Sequence, residues 1–454
     1  MLLRLASRRQ APLKSFCTHM VEKTVGWLTP ERIELYPMAI SITTWLLWGI
    51  SILLGSGLTD ISGQVIGADF LSFYNGGKFF LSGRTPDLYN LSALIEFQKG
   101  VVAPSPLKGI YVFTNPPFNS VLYAPFSLGS YATGLLLWWG AGLLVLALSL
   151  HLLHQELKPL SHLPTGRLFW ISFLFFPTIA WFLFGQNTAL SLLVYTMTFV
   201  MLRRQRDLEA GMALGLLFYK PQLAIAMAVM LLFRWRWRAL IGMALTVSAW
   251  IGAGFAISPE AMREYVRLAP RLMEFMRLHD LNPTWGDHSF YAFSTLLLDG
   301  FSRRGADLLA FLLIAGGVGR VALLWAHTCW RPGTRTWDLT LAATLALGLL
   351  ISPHLFLYDL MLLLLPLAIL WSCYPQGTGD RLLDGGHLLF WTAALYIITF
   401  AGSYLSLAQM QLSAALGLPR MAVQLSVPVI IGWVWVIVRM ARDPAVPDSS
   451  AGQT

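Results

Sequence analysis

Charge is what this chain lacks. Only 12% of its 454 residues are charged, against 56% that are hydrophobic, and the mean hydropathy is +0.61. Soluble domains carry about 25% charged residues, so this chain has roughly half the usual supply. The deficit is concentrated in blocks: no Asp, Glu, Lys or Arg interrupts Leu35–Thr59 or Gly109–Gln155. A helix crossing about 30 Å of hydrocarbon needs about 20 apolar residues, a length of uncharged run that a soluble core does not require. Cysteine is also sparse. The three present, Cys17, Cys329 and Cys373, match no zinc-ligand spacing, and the topology below puts them at or near the cytoplasmic side. Neither a disulfide nor a metal centre is therefore expected. The outer loops contain no Asp-x-Asp pair to hold a metal, and neither is of low complexity.

The charge that is present carries information. A net charge of +9 could suggest nucleic acid, but the basic residues stand in short clusters between apolar blocks, such as Arg203, Arg204 and Arg206, then Arg234, Arg236 and Arg238. That is how topology-setting charges are distributed, not a groove for a phosphate backbone. Arg4, Arg8, Arg9 and Lys14 precede any acid, and no apolar run follows them before Met38. A basic cytoplasmic tail touching anionic headgroups is expected there, rather than a cleaved signal. Hydropathy places about twelve transmembrane helices, at 38–57, 129–153, 168–184, 188–202, 210–220, 221–233, 239–257, 306–326, 337–352, 357–373, 387–407 and 421–438. Roughly 19 of the 32 Lys and Arg fall on one side, which puts both termini in the cytoplasm. The expected organisation is a basic tail (1–37), one all-α polytopic membrane domain (38–438) with two structured extracytoplasmic loops, and a short cytoplasmic tail (439–454).

Two expected spans, 210–220 and 221–233, are each too short to cross alone and meet at Lys220-Pro221. They read as half-crossings around a break, which is tolerated at membrane depth only beside protein or a wet cavity. An ionisable residue at such a break suggests function by default, here as a point charge for a phosphate; the structural reading is a lysine snorkelling to the interface. In the second outer loop, Ser258-Pro259-Glu260 signals a helix start. Met262, Leu268, Leu272 and Met276 then interleave with Arg263, Arg267 and Arg271, a pattern that suits a helix lying in the interface. In the first loop, Asp69 caps a helix from Phe70 to Leu81 that Gly83 closes, and it is also placed to take a proton from a sugar hydroxyl. His288, His354 and Asp359 fall on the same outer side, where a histidine could hydrogen-bond a phosphate or a sugar.

In order along the chain stand Asp69-Phe70, Tyr74, Gly76-Gly77-Lys78, Gly83-Arg84, Pro86 and Leu88-Tyr89. Asn115-Pro116-Pro117, Tyr123-Ala124-Pro125, Phe184-Gly185-Gln186-Asn187 and Ala210-Gly211 with Gly215 and Lys220 follow, then Ser352-Pro353-His354, Tyr358-Asp359 and Pro366. This series resembles glycosyltransferase family 87, polyprenyl-phosphate-mannose-dependent α-mannosyltransferases of the C-type membrane fold (GT-C). Asp287-His288-Ser289 departs from the family's Asn-Gln-Ser-like run, a difference that bears on sugar or acceptor. The resemblance implies an enzyme that moves a sugar, mannose first, from a polyprenyl-phosphate donor to a glycan or glycolipid acceptor on the extracytoplasmic face, with inversion. Asp69 would be the base, and donor or substrate contacts would come from Lys220, His288, His354, Asp359, Tyr74, Gln186 and Arg271. No cofactor, metal or nucleic acid is implied, and the membrane would be a bacterial inner membrane. The alternative is a secondary transporter or lipid-carrier flippase. It fits the span number and the broken helix, but it should concentrate polar residues at the midplane and show an internal repeat.

Overall fold

In the computed structural model, residues 23–271, 274, 283–373 and 382–442 are described. The basic N-terminal cluster, Cys17, Leu272, Met276 and most of the C-terminal tail lie outside these residues. Among them the chain is helical throughout, with isolated β-bridges in place of sheets. The helices are α1 (Pro30–Leu53), α2 (Ala68–Leu81), α3 (Leu91–Val102), α4 (Asn119–Tyr123), α5 (Tyr131–Glu156), α6 (Thr165–Leu174) and α7 (Phe176–Phe184). They continue as α8 (Thr188–Arg203), α9 (Asp207–Gly215), α10 (Ile225–Phe233), α11 (Trp237–Ile257), α12 (Pro259–Leu268) and α13 (Phe290–Leu298). The last five are α14 (Arg303–His327), α15 (Arg335–Ile351), α16 (Leu364–Cys373), α17 (Leu382–Ala415) and α18 (Ser426–Arg442).

Each apolar block expected to be a span is helical, though few are long. Among the described residues five helices, α1, α5, α11, α14 and α17, are long and apolar enough to cross a membrane. A sixth is formed if α6 and α7, bent by 82° at Phe175, count as one; Pro177, in the first turn of α7, has no N–H to continue the ladder of α6 and helps set that break. The chain is an all-helical membrane protein. Helix α15 stands at its centre, with every residue from Trp337 to Ile351 buried, as expected of a helix that is apolar on all sides.

The break at Lys220 is present as the sequence predicts. Helix α9 runs into a 3-10 turn at Leu216–Tyr219, Lys220 leaves helical geometry (φ −135°, ψ 66°), and a second 3-10 turn, Pro221–Ala224, leads into α10. Pro221 has no N–H to donate, and its ring pushes the preceding residue out of the α region. Helices α9 and α11 pack closely alongside. A Cβ on Gly211 would lie 1.8 Å from the Ala239 carbonyl oxygen, and one on Gly242 would lie 2.1 Å from that of Leu208.

The first long loop packs with the start of α5 into a separate core of Phe70, Phe73, Tyr123, Tyr131 and Trp138, wrapped around α2. The second loop opens with α12, where Ser258 accepts from the Ala261 N–H and Pro259 follows, as expected. It is then stitched to the 352–359 segment by an antiparallel bridge between Asp287 and Phe356.

Gly211→Val should force α9 and α11 apart. Overpacking of this kind costs about 1–3 kcal/mol, so the purified variant should melt several degrees lower in detergent. Gly140→Ala, on α5 with nothing within 4 Å of its new Cβ, should melt at or above the wild-type temperature, because alanine favours helix by about 1 kcal/mol.

Candidate active site

Two glycine turns meet beneath Asp69. Gly67 (φ 68°) ends the first approach to α2, and the Tyr131 hydroxyl donates to the Ile66 and Gly67 carbonyls at 2.8 and 2.9 Å. Gly67 is therefore the N-cap residue, and Asp69 is the second residue of the helix and makes no capping bond, which corrects the expectation that it caps the helix. The carboxylate still lies in the first turn, where the helix end carries partial positive charge. At the other end the expectation holds: Gly83 (φ 72°) closes α2, with its N–H and that of Arg84 returning to Phe80 and Phe79.

The second turn closes α7. Gly185 (φ 66°) sends its N–H to Phe182, and Gln186 sends its own to Trp181, a Schellman closure. A Cβ on Gly185 would lie 2.9 Å from that of Phe70 and 3.5 Å from the Gly67 Cα, so only glycine lets the two turns touch. The Gln186 side-chain oxygen accepts from the Asn187 N–H at 2.8 Å, which orients its amide to donate to Asp69 Oδ2 at 3.0 Å.

The third component comes from the broken helix. Lys220 donates through Nζ to Asp359 Oδ1 at 2.8 Å, and the Thr188 hydroxyl donates to the same oxygen at 2.7 Å. Lys220 therefore does not snorkel outward alone; it is 13% exposed and paired with an aspartate that is 4% exposed. Its ammonium stands 5.6 Å from the centre of the Tyr358 ring, and the Tyr358 hydroxyl reaches both Asp69 and Gln186. Asp69, Gln186, Lys220, Tyr358 and Asp359 thus form one cluster, from which Asp69 stays partly exposed. Burial pushes the Asp69 carboxyl up, the Lys220 charge and the Gln186 amide pull it back, and the Asp359 charge raises it further, leaving it at about 6. A carboxylate tuned near the working pH is suited to proton transfer.

The remaining expected site residues divide. His354 lies beside the cluster, its Nδ1 3.3 Å from Asp287 Oδ2. His288 does not present a nitrogen to a substrate: it is fully buried, with Nδ1 and Nε2 on the hydroxyls of Ser426 (2.8 Å) and Ser403 (3.0 Å). Burial drives its pKa down to about 4, against the pull of Asp287, so it is a neutral brace. Tyr74 is buried on another side of α2 and gives its hydroxyl to the Gly129 carbonyl at 2.9 Å. Arg271 is exposed beyond α12 and makes no ion pair or hydrogen bond among the described residues. Thr188, Tyr358 and Asp287 hold side-chain contacts at or near the cluster but were not among the expected site residues. Tyr358 and Asp287 stood inside the motif runs Tyr358-Asp359 and Asp287-His288-Ser289, and Thr188 follows the Gly-Gln-Asn turn, but nothing in the sequence assigned a role to any of the three side chains.

The cluster is carried on an all-helical membrane scaffold. The model of glycosyltransferase family 87 matches residues 113–353, just over half of the chain, and the chain belongs to that family. The match spans Gln186, Lys220, Arg271 and His288 and leaves Asp69, Tyr74, His354 and Asp359 outside it. No curated protein and no solved structure matches the chain. Membership of an enzyme family sets aside the transporter or flippase alternative.

Removing one member of a buried ion pair strands the other, at a cost of about 3–5 kcal/mol. Lys220→Met and Asp359→Asn should each lower thermal stability clearly. The double variant Lys220→Met/Asp359→Leu should recover most of the loss in the same melting assay.

Proposed function

We propose that this glycosyltransferase moves a sugar, mannose first, from a polyprenyl-phosphate donor to a glycan or glycolipid acceptor on the extracytoplasmic face. The observation that carries the reading is the placement of Asp69: partly open, first-turn, hydrogen-bonded to Gln186 and beside the Lys220–Asp359 pair. The acceptor hydroxyl would approach the open edge of Asp69, which takes its proton as the oxygen attacks the anomeric carbon. The polyprenyl phosphate leaves from the opposite face, so the anomeric centre inverts. Gln186 holds the carboxylate in one orientation through this step. Lys220, already neutralised in part by Asp359, contributes positive potential where charge gathers on the phosphate. His354 adds a hydrogen-bonding group on the same side. Twelve crossings of a bacterial inner membrane, some broken, with cytoplasmic termini and two outer loops in the manner of a C-type membrane glycosyltransferase, would put all of these groups at the outer surface.

Asp69→Asn keeps an oxygen to accept from Gln186 and removes the base. Transfer from synthetic polyprenyl-phosphate-mannose should fall by ~10²–10⁴-fold, the usual range for losing a positioned acid–base group, while donor binding persists. A near wild-type rate would remove Asp69 from the mechanism. In the wild type, the base is active only when ionised. With its pKa raised to about 6, kcat/KM should be level above that pH and fall about tenfold per unit below it; Asp69→Asn should lack this limb.

The orientation is tested separately. In a Cys-free background on intact cells, a cysteine at Ser62 should react with a membrane-impermeant thiol reagent and one at Ser449 should not. The reverse pattern would place Asp69 on the cytoplasmic side.

A further inference from the structure

Asp287 is 1% exposed, and its carboxylate is engaged on both oxygens. Oδ1 accepts from the Ser289 N–H at 2.9 Å and the Leu355 N–H at 3.1 Å, and Oδ2 faces His354 Nδ1 at 3.3 Å. Burial opposes its ionisation, but His354 and Ser289 together hold the carboxyl below its ordinary value, so the group is an anion at neutral pH. Its mount is stiff. The Gln424 amide donates to the Asp287 carbonyl at 2.9 Å, the His288 N–H donates to the Leu355 carbonyl at 2.8 Å, and the His288 ring is anchored on α17 and α18 through Ser403 and Ser426.

A carboxylate is an expensive way to clip two loops together. An asparagine could accept the same two backbone N–H bonds without burying a charge, which costs several kcal/mol per ion. What only the carboxylate supplies is negative charge at His354 Nδ1. That fixes the proton on Nδ1, as carboxylates do when they orient imidazoles. His354 is more exposed than its anchor, 21% against 2% for the side chains. Its ring meets Phe356 edge-on at 4.3 Å, Phe356 lies 5.6 Å from Tyr358, and Tyr358 reaches Asp69.

We propose that Asp287 is a positioning residue, whose buried carboxylate holds His354 by Nδ1 so that the opposite edge of the imidazole meets the phosphate of the lipid-linked donor. The inference rests on the donor class proposed above and assigns a part of the site to a residue outside the Asp69 cluster.

The test uses the full chain in lipid nanodiscs with synthetic polyprenyl-phosphate-mannose, comparing Asp287→Asn, Asp287→Glu, His354→Gln and the double variant Asp287→Asn/His354→Gln. Asp287→Asn should raise the donor KM by about 10-fold or more, the scale of losing a partner that orients an imidazole, and leave the acceptor KM within about twofold. His354→Gln should do at least as much, and the double variant should be no worse than His354→Gln alone. Asp287→Glu, which keeps the charge, should recover part of the loss. A merely structural clip would instead lower the melting temperature, leave the donor KM unchanged in His354→Gln, and give effects that multiply in the double variant; that pattern overturns the proposal. If Asp287→Asn is too unstable to purify, His354→Gln decides alone, since an unchanged donor KM there leaves no ring for Asp287 to position. A wild-type protein that uses no polyprenyl-linked sugar overturns the donor reading instead, and the two failures are distinguishable.

Discussion

The ion pair between Lys220 and Asp359 is the interaction on which the site's arrangement depends. A lone ammonium among apolar helices is costly, and a lone buried carboxylate equally so. Each is tolerable only because the other is 2.8 Å away. That requirement ties the break between α9 and α10 to the segment before α16, and Thr188 joins α8 to the same oxygen. Three stretches distant in sequence are thereby held in register, and Tyr358, next to Asp359, is carried up to Asp69.

A second constraint is backbone geometry. Gly67 and Gly185 both adopt left-handed conformations and touch where any side chain on Gly185 would collide with Phe70. That contact brings the end of α7 to the start of α2 and lets Gln186 reach Asp69. The Asp69 carboxylate is thus oriented by an amide whose own orientation is imposed by the next residue's N–H. Its elevated pKa follows from position: a carboxylate withdrawn from water, near another carboxylate, with one lysine and one amide compensating in part.

The two long loops serve the site differently. The first has an aromatic core of its own around α2 and places Asp69. The second is stitched to the 352–359 segment through Asp287 and His288, and its Asp287 holds His354 of that segment. Buried polar groups concentrate at this seam, where they set the position of a ring rather than contribute apolar packing.

How much was legible in advance follows from range. The membrane class, the apolar helices, the break at Lys220-Pro221, the Ser258-Pro259 helix start and the closure of α2 at Gly83 were all readable, because each depends on residues within a turn or two of one another. Family membership was readable from ordered motifs. The sequence also marked Asp69, Gln186, Lys220, His354 and Asp359 as candidates, but not that they converge. Only the tertiary structure decided that Lys220 pairs with Asp359, that His288 is a neutral brace and Tyr74 a packed residue, and that Gly67 rather than Asp69 caps α2. These outcomes turn on burial and on partners from 55 to 139 residues away or, for Gly67, on a left-handed backbone held by Tyr131. A side chain's chemistry is local, but its availability is set by what the fold packs against it.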